Sequence, residues 1–274
     1  MSRFVRQVGF TGGDREQWPF CLGLFAGLER LTFTAPVTVL VGENGSGKST
    51  LLEAMAIALR MPAIGRADAH RDPSLAELVP LARSLRLVRG AQSPQARFFL
   101  RSEDFFGFVQ TLGERSRELR EELDRARREN AHRSRFAQQQ AEAAYSGSLA
   151  ALQGRYGADL LGAASHGESF LRLFQARMAP RGLYLMDEPE APLSPVRQLA
   201  LMQMIRELAE QGQCQFILAT HSPILMALPG AQLIDCDQSP LAQTVYGDLA
   251  SVALLREFLN DPSRMIDLMA REDP

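Results

Sequence analysis

Cysteine is scarce. The three thiols, Cys21, Cys214 and Cys236, are odd in number and none stands in a CxxC pair, which excludes both a disulfide framework and a cysteine zinc site. Cys214 and Cys236 fall in or beside strand-like runs, where a buried thiol is expected. No apolar run approaches the ~18 residues that span a bilayer, and no signal-peptide pattern is present at the N-terminus. The formal charge is −2 and the pI about 6.1, so no overall basic field draws the chain to nucleic acid. A local basic face stays open. Internal repeats and low-complexity tracts are also missing. A cytoplasmic, soluble chain is expected, and 46 % hydrophobic residues suffice for a buried core.

The feature that is present is a glycine-rich loop. The apolar run Val37-Thr38-Val39-Leu40-Val41 leads into Gly42, Glu43, Asn44, Gly45, Ser46, Gly47, Lys48, Ser49 and Thr50, and an amphipathic stretch with Leu51, Leu52, Met55, Ala56 and Leu59 follows. This is a complete Walker A sequence, GxxxxGK[ST], between a predicted strand and a predicted helix. Glycines at 42, 45 and 47 let successive N–H groups turn inward around phosphate oxygens. The helix N-terminus adds partial positive charge. Lys48 is placed for the β- and γ-phosphates, and the Ser49 hydroxyl for Mg²⁺. The loop predicts binding of a nucleoside triphosphate.

Residues 1–41 read as short strand-like pieces with turns at Gly12-Gly13 and near Pro19 and Pro36. Residues 61–96 carry Pro, Gly and Asp around helix-like stretches, before the β-rich run Arg97–Arg101. From about 103 to 161 the chain reads as a helical insertion. Its charge-dense middle pairs Glu121 with Arg125 and Asp124 with Arg128 at i,i+4, as on a solvated helical face, with a DNA- or partner-binding arm as the alternative. It is too short for a coiled-coil arm with sustained heptads. The last third alternates strand and helix, the pattern of a largely parallel sheet. A C-terminal helical tail, about 247–274, is expected to pack on the core through Leu254, Leu255, Phe258 and Leu259. The whole of 1–274 is expected to form one α/β unit with an N-terminal β-rich part.

Two strand ends carry chemistry. Leu183-Tyr184-Leu185-Met186 ends in Asp187-Glu188-Pro189. An aspartate there suits the Walker B role of holding Mg²⁺ through its water shell, with Glu188 aimed at the water that attacks the γ-phosphate. The run Gln215–Ala219 ends in Thr220-His221-Ser222-Pro223, which places His221 beside the same site. About twenty residues before Asp187 lies Ser165-His166-Gly167-Glu168-Ser169.

This order resembles that of ATP-binding-cassette (ABC) nucleotide-binding domains: Walker A, a serine-glycine signature, Asp-Glu-Pro, then a histidine switch. It is most similar to the stand-alone, soluble bacterial ATPases described as AAA-family or ABC-type, related to the RecF and SMC heads. The resemblance implies a P-loop NTPase fold with a mostly parallel sheet, and ATP with Mg²⁺ as cofactors. It further implies a homodimer in the ATP state, in which Ser165, Gly167 and Glu168 of one subunit face the γ-phosphate held by the other. Glu188, His221 and Lys48 would be catalytic. Three departures stand out. Arg101-Ser102-Glu103 occupies the place of the usual glutamine, with Glu103 a candidate for the Mg²⁺ shell. The signature reads SHGES, away from transporters. The loop after Asp-Glu-Pro, Glu190-Ala191-Pro192-Leu193-Ser194, lacks its usual final aspartate. For the adenine base, Trp18 and Phe20 are the aromatic candidates. Alternatives are an ATP-gated scaffold or regulator of a nuclease or defence complex and, further off, the energising subunit of an ABC transporter. A partner protein or DNA is open in each.

Overall fold

The computed structural model describes residues 3–63, 68–156, 166–211 and 213–272. In chain order these form β1 (Val5–Phe10), α1 (Gly23–Gly27), β2 (Arg30–Thr32), β3 (Val37–Val41), α2 (Lys48–Ala58), α3 (Val79–Ser84), β4 (Leu85–Arg89), β5 (Ala96–Arg101), α4 (Ser102–Asn130) and α5 (Arg135–Tyr156). There follow α6 (His166–Arg177), β6 (Gly182–Asp187), α7 (Pro195–Glu210), β7 (Gln215–Ala219), α8 (Pro223–Met226), β8 (Gln232–Asp235), β9 (Ala242–Thr244), α9 (Ala250–Asn260) and α10 (Pro262–Glu272).

The apolar runs become a six-stranded sheet in the order β5-β6-β7-β3-β8-β9. All its pairings are parallel except that of β9. Its strands are apolar on both faces because both faces are covered. Along β3, Val37, Val39 and Val41 enter one core with Phe98, Tyr184, Phe216, Phe170 and Phe174. Leu40 enters the opposite core with Leu51, Met55, Phe99, Leu185 and Ile217. The phosphate-loop strand therefore lies mid-sheet, one strand from β6. The ends of β3, β6 and β7 open to the same side, where crevices of parallel sheets hold ligands.

A second sheet, β2-β1-β4, is antiparallel and packs over α2. The sequence reading missed β4, because Leu85-Arg86-Leu87-Val88-Arg89 alternates only weakly between helix-like neighbours. Two buried glutamines tie this sheet to the larger one. The Gln215 amide accepts from Val5 N–H at 2.9 Å and donates to Val5 C=O at 2.7 Å. Gln232 accepts from Thr34 N–H at 2.8 Å and donates to Thr32 C=O at 3.0 Å. Each amide completes main-chain bonds that β1 and the end of β2 would otherwise lack. Gln215→Ala leaves both Val5 groups unpaired, and the expected loss is about 1–3 kcal/mol in chemical denaturation, with the fold retained.

Helices α4 and α5 form an antiparallel hairpin. Leu112, Ser116, Leu119, Leu123 and Ala126 are buried along α4. That 4-3-4-3 spacing is a short heptad seam against α5, two heptads long. The ion pairs on α4 differ from the expected i,i+4 set. Arg127 meets Asp124 at 3.7 Å and Glu142 of α5 at 3.1 Å, and Arg115 meets Glu118 at 3.1 Å. All are exposed and contribute little.

The C-terminal helices correct another expectation. Among the described residues of this region only Leu249 and Val252 are buried, whereas Leu254, Leu255, Phe258 and Leu259 are exposed. Helix α9 meets the core along one narrow line, and its four apolar residues lie outside it.

Candidate functional site

The loop between β3 and α2 is wound as its glycines allow. Gly42, Gly45 and Gly47 have φ of 143°, 81° and 95°, in the region that costs other L-residues about 1–2 kcal/mol. Gly47 is the N-cap of α2 and supplies no side-chain cap. The first-turn N–H groups of α2 thus lack intrahelical partners and point at the space an anion would fill. The loop is braced from behind by Asp237, whose two carboxylate oxygens accept the Glu43 N–H at 3.0 and 2.9 Å. A Cβ on Gly42 would lie 3.0 Å from that carboxylate, so this glycine also makes room for the brace.

Lys48, the chain's only lysine, folds back over the loop. Its ammonium donates to Gly42 C=O and Glu43 C=O, both at 2.7 Å, and to Ser46 Oγ at 3.1 Å. Burial lowers its pKa; nearby anionic groups, Asp237, Asp187 and Glu188 among them, oppose the shift.

Ser49 Oγ donates to Asp187 Oδ1 at 2.9 Å, so the ends of β3 and β6 are joined at the point expected for a cation. Burial pushes the Asp187 carboxyl up to about 7 against that hydrogen bond, with Glu53, Glu188 and Glu190 adding to the rise. A desolvated carboxylate and a hydroxyl, with no cationic group hydrogen-bonded to them among the described residues, form a donor set that fits a hard divalent cation. The sign of the pH effect follows. The folded pKa lies above the ordinary 3.8, so the unfolded chain loses this proton first as pH rises. Native stability contributed by this group then falls from about pH 4 to about pH 7 and levels off above. Asp187→Asn should raise the melting temperature at pH 8 and lose that advantage by pH 4. Thermal unfolding at the two pH values checks this.

Glu188 has φ of 47°, left-handed for a non-glycine residue. Three bonds hold it there. Its N–H donates to Ala219 C=O at 2.9 Å and its C=O accepts from Ala191 N–H at 3.1 Å. Ser102 Oγ donates to the carbonyls of both Asp187 and Glu188. Such retained backbone strain is characteristic of functional turns.

Where a glutamine was missing, Arg101 is buried and Ser102 touches the Asp187–Glu188 backbone. Arg101 pairs with Glu53 at 3.2 Å, Asp72 at 3.3 Å and Asp104 at 2.8 Å. This ties the start of α4 to α2. Glu103 has a side chain 69 % exposed and meets Arg101 at 3.3 Å. Its carboxylate is engaged with that arginine.

A cleft of about 280 Å³ gathers part of the sequence-selected set, with Asp187 and Glu103 outside its lining. Asn44, Gly45, Gly47, Lys48, Ser49, Thr50, Glu188, His221 and Trp18 line it. Trp18 is 51 % exposed, whereas Phe20 stacks on Phe10 with ring centroids 6.1 Å apart and packs on the core. The two aromatic candidates are thereby separated. Ser165 lies outside the described residues, and Gly167 and Glu168 fall in the first turn of α6. Asp237, Ser102 and Glu190 escaped sequence reasoning, because each acts through backbone groups brought near only by the fold.

Among the described residues no helix is long and apolar enough to cross a membrane. A family model described as "AAA domain" matches residues 22–148. Another, described as "AAA domain, putative AbiEii toxin, Type IV TA system", matches 170–227. No curated protein sequence matches. Among solved structures, the Smc head domain with an extended coiled coil from Pyrococcus furiosus, bound to the C-terminal domain of ScpA, is 13 % identical with a TM-score of 0.46, covering 93 % of this chain and 99 % of that one. The ADP conformation of an ATP-binding cassette of an ABC transporter is 17 % identical with a TM-score of 0.44, covering 99 % and 100 %. A nucleotide-free ATP-binding cassette from an ABC transporter is 17 % identical with a TM-score of 0.45, covering 96 % of each. The two AAA-domain models match different parts of the chain, one over the phosphate loop and one over the acidic and histidine strand ends, so the chain is similar to AAA domains at each of these segments.

Proposed function

We propose that the chain hydrolyses ATP to ADP and phosphate with Mg²⁺, in a site completed by a second copy of itself. One observation carries this reading. Lys48, Glu188 and His221, drawn from three different strand ends, line one cleft together with Ser49, whose hydroxyl bonds Asp187.

Loop amides and Lys48 would hold the β- and γ-phosphates. Ser49 and Asp187 would hold the cation, which supplies charge neutralisation between the phosphates when bound. Glu188 orients the attacking water and takes its proton as the bond to the γ-phosphorus forms. His221 donates to the γ-phosphate oxygens and keeps that water in line. Trp18, exposed at the rim, stacks on the adenine. Most of the rate comes from positioning and charge, with no covalent intermediate on the protein.

The signature supplies the second half. Gly167 and Glu168 begin α6, a helix of twelve residues, whose N-terminus suits a γ-phosphate held by the partner copy. Hydrolysis removes the group that both copies grip, so the pair opens and moves whatever is attached.

Ser165→Arg tests the arrangement. The variant is expected to bind ATP within about twofold of wild type by fluorescence titration, yet to stay monomeric with MgATP and release phosphate at under a tenth of the wild-type rate. Equal loss of binding would move the signature to another segment.

A further inference from the structure

Two carboxylates leave the turn after β6, and only Glu188 has a role in the proposed reaction. Glu190, two residues on, turns the other way. Its Oε1 accepts the backbone N–H of His221 at 2.8 Å and that of Ser222 at 3.1 Å. The same turn therefore presents Glu188 to the cleft and grips the backbone of the residue opposite it.

The grip has a second half. Ser222 N–H also reaches Thr220 Oγ1 at 2.9 Å, and Ser222 Oγ donates to Gln198 Oε1 of α7 at 2.6 Å. That hydroxyl in turn accepts the first N–H groups of α8, from Ile224 and Leu225 at 3.2 Å each. His221 is fixed at its backbone on both sides, while its side chain stays exposed in the cleft. With the main chain pinned at residue 221, rotation of the imidazole is the freedom that remains.

We propose that Glu190 is a positioning residue for His221, setting the separation of His221 from Glu188 by clamping two successive amides; this rests on the hydrolytic reading above. The chemistry of the clamp is that of an acceptor. One oxygen takes both N–H groups, and Oε2 is buried without a partner among the described residues. A glutamine, whose single carbonyl oxygen can accept the same two bonds, keeps the clamp; an alanine removes it. Misplacement of a reacting group by about 1 Å can cost on the order of 10²-fold, so a loosened histidine is expected to lower turnover without affecting nucleotide affinity.

The test uses the full chain as wild type, E190A, E190Q, H221A and the double variant E190A/H221A. Amide hydrogen exchange in nucleotide-free protein is expected to show residues 221–222 deprotected in E190A and protected as in wild type in E190Q. Steady-state phosphate release should fall about tenfold or more in kcat for E190A, with KM within about twofold, while E190Q stays within about threefold of wild type. In the H221A background, E190A should cost nothing further. A full additional loss in the double variant, or E190Q falling as far as E190A, overturns the proposal. So does unchanged exchange at 221–222 in E190A. If H221A itself turns over at the wild-type rate, the catalytic reading of His221 fails instead, and the exchange result alone decides whether the clamp exists.

Discussion

Replacing Glu188 with glutamine is expected to cut steady-state phosphate release by about 10²–10³-fold while ATP still binds within about threefold of wild type. The asymmetry follows from where Glu188 sits. Its backbone is locked in a left-handed turn by Ala219, Ala191 and Ser102, none of which depends on the charge of its side chain. The amide therefore keeps the turn and the cleft, and loses only the ability to accept a proton from water. An isosteric change that spared turnover would move the base elsewhere. One that lost binding as well would show that the carboxylate shapes the ground-state site.

The second large effect is at Lys48. Lys48→Ala is expected to weaken MgATP binding about 10–100-fold, since a charge-assisted hydrogen bond to phosphate is worth about 1.5–3 kcal/mol. Turnover should fall further still, because charge on the transferring phosphoryl group loses a cationic partner. The composition offers a direct readout. With no other lysine in the chain, an amine-reactive reagent can mark only Lys48 and the N-terminal amine. Burial lowers the pKa of Lys48, which favours its reaction once the reagent can reach it. ATP should protect that position selectively. Labelling of Lys48 at the same rate with saturating ATP would place the nucleotide elsewhere.

The residues whose chemistry dictates their type were legible in the sequence. Lys48, Ser49, Asp187 and His221 stand at strand ends announced by the apolar runs before them, and the fold delivers them to one side of one sheet. Positions that work through the backbone were not. Asp237 braces Glu43 across 194 residues of chain, and nothing in Asp235-Cys236-Asp237 distinguishes it from a polar turn. Ser102 and Glu190 are likewise visible only once β5, β6 and β7 lie side by side. At the place of the usual glutamine stand a buried Arg101 and Ser102, whose hydroxyl contacts the Asp187–Glu188 backbone, and no pattern of spacing singles out either contact.

Periodicity misled in two places for the same reason. The apolar residues of α9 satisfy a helical stripe, but a stripe says only that a face is apolar, not that the same chain covers it. Charge interleaving on α4 read as a solvated face, which holds for its arginines and glutamates, while the short seam from Leu112 to Ala126 lay hidden between them. In both cases the partner surface, absent from the local sequence, decided the outcome.

The composite site is the central claim, and one measurement addresses it directly. Sedimentation of Glu188→Gln at micromolar concentration, with and without MgATP, is predicted to give a monomer without nucleotide and a stable dimer with it, the dimer dispersing when ATP is replaced by ADP. A species that stays monomeric at saturating ATP, with binding verified in the same sample, would contradict the account.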